Sequence, residues 1–424
     1  MSHRDDIAAA LQAEGTPFRA DGSGRSATDR TLWLSADLVR CPAREGMPTV
    51  FVADGFKFCW DAVVDAVHWV IHDGLFGDGV RIAVAYDLAM ADATDRDAAA
   101  ASRTVREAMA TLAAAVNQPQ VELATYTLQG GQLTVMPASW PLPSFGPLSA
   151  WAAMYRSRGS ASLPLIGQRL LTALGSSVPS FRWYRSLSSS RWSGRVAGWE
   201  FCRLDRSGQA IEFRDYRGRQ HLAIQSFRNS PADLSALAHI LDDVALRRAN
   251  PRDELGSTKL EHLLESGAWR SAIPVQPRLP ALGRPLLSPV VAPSDPPFQM
   301  PARYGALDDR RSIDVVMQDG RGVPWVVEIK VSSGSQGQYY RHAIAQALLY
   351  REFVRTASSL HSPLTTIGII HPADCQAAIA FPELEGGFAV AQGIRSRLLD
   401  TAGLFGVGVA ELDPWSSLHQ ACMV

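Results

Sequence analysis

The alternation of apolar and polar positions divides the chain into three stretches of different texture. In the first, Thr49 to Ala53 and Val80 to Tyr86 read as buried strands, Cys59 to Ile71 as a mostly apolar helix and Asp95 to Val116 as a longer one. Val121 to Leu128 and Gln132 to Met136 alternate in strand fashion around Gly130-Gly131, whose freedom at positive φ suits a hairpin turn. A short helix from Asp5 to Glu14 stands before them, set off by a Gly-, Ser- and Asp-rich segment over residues 16–30 that reads as a mobile loop. Residues 1–140 are therefore expected to form an α/β domain, with its body beginning after that loop.

The second stretch, residues 141–250, opens with helices around Ser149 to Arg156 and Pro164 to Leu174. Three strand-like segments follow, Arg195 to Leu204, Gln209 to Tyr216 and Gln220 to Phe227, joined by turns short enough for an antiparallel meander. Pro231 then opens a helix to Arg248. In the third stretch, residues 251–424, Ser257 caps a helix with a Leu260, Leu263, Leu264 stripe, and residues 271–310 form a Pro-rich insertion with one short strand near Ile273 to Leu279. Arg311 to Gln318 and Pro324 to Val331 read as adjacent strands, Gln338 to Thr356 as a helix, Leu364 to His371 as a strand, Ala389 to Asp400 as a helix and Phe405 to Leu412 as a last strand. The fold class this predicts is multi-domain α/β with an antiparallel β-meander in the middle.

Composition changes the picture little. The 424 residues are 46% hydrophobic and 20% charged with a formal net charge of -1, enough for two or three cores and no whole-chain signal for nucleic acid or membrane. Charge is uneven, however: residues 181–230 carry ten Arg against four acids. Interleaved with them are Trp183, Tyr184, Trp192, Trp199 and Tyr216, so this meander is a candidate surface for phosphates and stacked bases, although Trp199, Phe201, Ile211 and Phe213 also have core spacing. Five scattered cysteines argue against a disulfide framework, a zinc knuckle or an iron-sulfur site and suit a reducing cytoplasm. Neither a signal peptide nor an apolar run of membrane-spanning length is present, so no membrane partner is expected. There is no Gly-rich phosphate loop. Asp65, His68 and His72 share a helical face, but their apolar surroundings read as a core helix with a polar rim.

The chemistry concentrates in two segments of the third stretch. In Ser312-Ile-Asp-Val-Val, alternation sends Asp314 to one face, and in Val327-Glu-Ile-Lys-Val it sends Glu328 and Lys330 to a common face of the neighbouring strand. Two carboxylates side by side call for a divalent cation between them, and hard oxygen donors suit Mg²⁺ or Mn²⁺. A lysine next to that cation can hold a water, aim it at phosphorus and offset developing charge. The bland alternative is a solvated Asp314 beside a Glu328–Lys330 ion pair on an exposed edge. Trp325 to Val327 and the flanking Ile329 and Val331 make the strand too apolar for an edge, and with only three lysines in the chain an ordinary ion pair would have used Arg.

This order of residues resembles the PD-(D/E)xK nuclease superfamily, and Gln346-Ala-Leu-Leu-Tyr350 in the following helix is similar to the Gln-x-x-x-Tyr signature of its RecB-type exonuclease branch. The resemblance covers residues 255–372 and departs from the compact pattern through the Pro-rich insertion. It implies a restriction-endonuclease-like α/β sandwich with a central mixed sheet. It further implies a Mg²⁺- or Mn²⁺-dependent nuclease with Asp314, Glu328 and the Ile329 carbonyl on the metal, Lys330 on the attacking water, and Gln346 and Tyr350 on Lys330 or a phosphate. The further carboxylate that relatives draw from their first helix matches Glu261, with Glu265 one turn on as the other choice. The implied substrate is nucleic acid, DNA before RNA, with endo- or exonuclease action open and a protein partner or homo-oligomer compatible. The pairing with an unfamiliar front end suggests a recognition region and a role in bacterial phage defence. The rival expectation is an inactive nuclease-fold module that binds nucleic acid or scaffolds a complex.

Overall fold

The computed structural model describes residues 3–21, 38–53, 63–67, 79–86, 106–116, 121–140, 148–159, 162–178, 181–185, 192–196, 199–217, 220–247, 288–289, 298–302, 311–318, 321–329, 336–382 and 399–412, apart from positions 45, 65, 107, 176 and 400. Within them the protein is mixed α/β, with two mixed sheets on either side, in sequence, of an antiparallel one.

The first sheet contains β1 (Arg19–Asp21), β2 (Leu38–Arg44), β3 (Met47–Val52), β4 (Val80–Ala85), β5 (Val121–Gln129) and β6 (Gln132–Pro137), in that spatial order. Pairing is antiparallel for β1–β2, β2–β3 and β5–β6, and parallel for β3–β4 and β4–β5. Parallel neighbours need crossovers, which helical residues around 63–67 and 108–115 supply. Helix α1 (His3–Ala13) covers the opposite face with Ile7, Ala10 and Leu11, against Val39, Phe51 and Tyr126 among others. Arg44 fixes its end through a bidentate contact with Glu14, 2.7 Å at the shorter bond. The expected start of this unit after the loop is thus corrected: α1 belongs to its core, and residues 19–21 of the expected loop are an edge strand too short to alternate.

The middle sheet is a five-stranded meander. Helices α2 (Ser149–Gly159) and α3 (Leu165–Leu174) come before β7 (Phe181–Arg185), β8 (Trp192–Val196), β9 (Trp199–Leu204), β10 (Ala210–Arg217) and β11 (Gln220–Arg228), and α4 (Pro231–Arg247) follows. Two strands beyond the three expected appear here, because residues 195–204 divide into β8 and β9 and β7 joins them. Gly194 is required where they meet: a Cβ there would lie 2.7 Å from Cζ of Phe181. The i, i+4 stripes Ile166, Leu170, Leu174 and Leu234, Ala238 close one face of this sheet. Ser230 caps α4 by accepting the Asp233 N–H at 3.1 Å, with Pro231 in the first helical position. Trp183 and Trp192 lie in this core, 4% and 6% exposed, so neither is available to stack on a base. Arg203 and Arg214 are paired with Glu200 and Glu212.

The third sheet runs β12 (Ser288–Pro289), β14 (Arg311–Gln318), β15 (Pro324–Ile329), β16 (Gln376–Pro382), β17 (Gly408–Leu412), with β13 (Phe298–Ala302) also on β14. The Pro-rich insertion therefore contains two strands; Pro301 is tolerated because β13 pairs on one side only. Helix α5 (Gln336–Thr356) crosses from β15 to β16, followed by α6 (His361–Thr366). The strand expected over Leu364 to His371 is a helix and a turn. Its β-branched run imitates a strand, but Pro363 sits in the first helical turn, where a missing N–H costs nothing, and Gly368 at φ 97° reverses the chain. The helices expected at residues 257–264 and most of 389–400, and the strand near Ile273, lie outside the described residues.

From β13 to β17 the pairing is antiparallel, antiparallel, parallel, parallel, the same sequence as from β1 to β5. One contiguous apolar core joins the helix-bearing faces of the two sheets, with Tyr155 of α2 and the apolar residues of α5 from Ala343 to Val354 inside it. Trp151 of α2 meets Phe353 of α5 edge to face at 5.7 Å. Among the described residues no helix is long and apolar enough to cross a membrane.

Candidate active site

Strand β15 is internal, antiparallel to β14 and parallel to β16, and all six of its residues are buried. That is the environment its apolar run implies, and it makes Glu328, 2% exposed, a carboxylate that needs a reason to be there. The β14–β15 register ends at Val315 opposite Val327. One step further, Asp314 falls across from Glu328. At the step after that the ladder would pair Ile313 with Ile329. Instead the Ile329 N–H donates to Oδ2 of Asp314 at 2.8 Å, so a side chain takes the place of a ladder bond where the two strands part. Asp314 is half-buried, Ile329 fully buried, and the two carboxylates sit at the mouth of this fork.

Alternation puts Glu328 on the face of Val326, which packs in the core with α5. Gln346 and Tyr350 follow each other by one turn of that helix, and Nε2 of Gln346 donates to the Tyr350 hydroxyl at 3.3 Å. Both are buried, at 8% and 2% exposure, and Oε1 of Gln346 is sealed from solvent with no hydrogen-bond partner. Asp314, Glu328 and Ile329 are thus brought together, and Gln346 and Tyr350 lie as a pair on the helix facing them. Lys330, Glu261 and Glu265 lie outside the described residues, as do Asp65, His68 and His72.

The donors this fork offers are two carboxylates and the main-chain carbonyl of Ile329. All are hard oxygen atoms, a set chemically suited to Mg²⁺ or Mn²⁺ and unsuited to a soft metal. Among the described residues no group of three or more His, Cys, Asp or Glu side chains is close enough together to hold a metal. Sequence reading passed over one residue of the same helix, Arg351, which is 8% exposed in a stretch buried from residue 343 to 354. Its signal was available: an arginine inside a run of Ala, Ile, Leu, Phe and Val. No protein-family model, no curated protein and no solved structure matches this chain.

Proposed function

We propose that the protein is a metal-dependent nuclease of the PD-(D/E)xK type that hydrolyses phosphodiester bonds, with DNA as its expected substrate. One observation carries the reading: a buried glutamate and an aspartate face each other where two strands of a mixed sheet diverge, and the aspartate is held by the backbone N–H just past the glutamate. A carboxylate buried on an internal strand beside a second carboxylate is an arrangement that suits cation binding.

In this reading Asp314, Glu328 and the Ile329 carbonyl hold Mg²⁺ or Mn²⁺, which when bound supplies a Lewis acid and a more acidic water. The Ile329 N–H holds Asp314 through Oδ2. Lys330, two positions on from Glu328 in the sequence, starts uncharged and takes a proton from the attacking water on Nζ, and the ammonium group so formed offsets the negative charge growing on the phosphoryl oxygens as the P–O bond breaks and the leaving oxygen takes a proton from solvent. Once metal and substrate are bound, Oε1 of Gln346, which has no partner in the free protein, orients Lys330, and Tyr350 keeps the amide in position. The unit formed by residues 1–140 and the middle sheet then serve recognition or support, in a setting such as phage defence in a bacterial cytoplasm.

The test is cleavage of linear, circular, single-stranded and RNA substrates with and without Mn²⁺. Glu328→Ala and Lys330→Ala should abolish the metal-dependent activity with the far-UV spectrum intact. Unchanged cleavage in both variants removes the assignment. If wild type binds DNA but neither cleaves nor binds Mn²⁺ at a site lost in Asp314→Ala, the inactive-module reading replaces it.

A further inference from the structure

Helix α5 carries a second polar cluster on a flank that the candidate site does not use. Arg351 follows Gln346 by five residues, a turn of about 140° around the axis and about 7.5 Å along it. It is 8% exposed, its Nε is sealed from solvent with no hydrogen-bond partner, and it forms no ion pair with a described residue. Burial holds its pKa below the usual arginine range, and the like charge of Arg355 adds to this; Glu352 and Cys375 are the groups nearby that act the other way. Arg355 lies one turn further along the same flank. Its Nε donates to the Ala373 carbonyl at 3.3 Å, beside the 3-10 turn Pro372–Asp374. Two arginines therefore share one flank near one end of the helix, and neither forms an ion pair with a described residue.

Among the described residues, Glu352 is the one carboxylate whose charge acts on Arg351, so the two cations are not fully offset there. Guanidinium groups match the oxygens of a phosphate in pairs, and a group as enclosed as Arg351 is reachable by a compact anion but not by the broad backbone of a duplex. We propose that Arg351 and Arg355 form a binding site for a small phosphate-bearing anion, separate from the Asp314–Glu328 fork. A snorkelling arginine with a merely hydrated tip would bind no phosphate in preference to chloride.

Calorimetric titration of the full-length chain with inorganic phosphate and with a nucleoside 5′-monophosphate, in EDTA and at ionic strength fixed with NaCl, tests this without involving divalent metal or cleavage. Saturable binding with one equivalent, weakened at least tenfold in Arg351→Met and in Arg355→Met, is the expected result. Saturation by phosphate alone identifies the phosphoryl group as the ligand, and a nucleotide binding tenfold tighter adds a subsite for the rest of that molecule. If Arg351→Met does not fold, Arg355→Met on the more exposed turn carries the comparison. Absence of saturable heat with both probes, or unchanged binding in the folded variants, overturns the proposal.

Discussion

Replacing Gln346 by Leu separates what the fold needs from what the chemistry needs. The side chain is 8% exposed, its Oε1 has no hydrogen-bond partner, and its single bond, to the Tyr350 hydroxyl, is long at 3.3 Å. A buried acceptor left unsatisfied costs about 1–3 kcal/mol, while one ordinary hydrogen bond contributes about 0.5–1.5 kcal/mol net, with a long one at the low end. Leu has a similar volume, so the cavity term is small, and Tyr350 retains other interactions after the amide is gone. The balance favours the variant by about 1 kcal/mol. Urea unfolding followed by tryptophan fluorescence should therefore give a higher midpoint for Gln346→Leu at unchanged slope. Under the proposed function the same variant should lose about 10- to 100-fold in Mn²⁺-dependent cleavage, the range for groups that orient a metal's ligands. A loss of stability greater than about 1 kcal/mol would refute the reasoning, because it would mean the amide is satisfied in the folded state.

Phe353→Ala should cost about 3–5 kcal/mol, since the ring is fully buried between α5 and Trp151, and thermal melting should show the first and third sheets losing structure together. Gly194→Ala should destabilise by about 1–3 kcal/mol in urea, the cost of forcing a methyl group against a packed ring, because its Cβ would meet Cζ of Phe181 at 2.7 Å. Burial pushes the Cys375 thiol up to about 12. In the unfolded chain it ionises at about 8.5, so the stability its burial confers is complete below that pH. Above it the unfolded state binds fewer protons, and stability falls by about 1.4 kcal/mol per pH unit until the folded thiol ionises too. Cys375→Val should reduce this alkaline loss in urea midpoints measured from pH 8 to 11, and identical slopes for the two proteins would contradict the burial.

The candidate site was legible because two periodicities meet in it. Strand alternation gave Asp314 and Glu328 their faces, and the i, i+4 spacing put Gln346 and Tyr350 on one face of α5, where their side chains meet. The apolar run around Glu328 correctly implied an internal strand. Elsewhere, local pattern gave way to context. Thr365 to Ile370 has strand composition, but Pro363 and Gly368 bound a short helix there. Phe298–Ala302 was hidden by Pro301 and by the prolines just before it. The tryptophans of the meander carried two readings, since a ring that stacks on bases and one that fills a core have the same spacing, and Trp183 and Trp192 turned out to fill the core.

Helix α5 decides how the parts depend on one another. A helix covering a sheet normally keeps a polar face for solvent, yet residues 343–354 of α5 are all buried, including Arg351 and Glu352. Its outer side is closed by α2 and by the core shared with the first sheet. A fork of two carboxylates keeps its geometry only if the elements behind it cannot shift, so the first unit supports the candidate site through the shared core. The repeated strand pairing sharpens this point. Strands β2 and β3 occupy the places of β14 and β15 and contain no Asp or Glu, so the architecture is repeated and the acidic pair is not. Under the proposed function the described residues then contain one hydrolytic centre, on the third sheet.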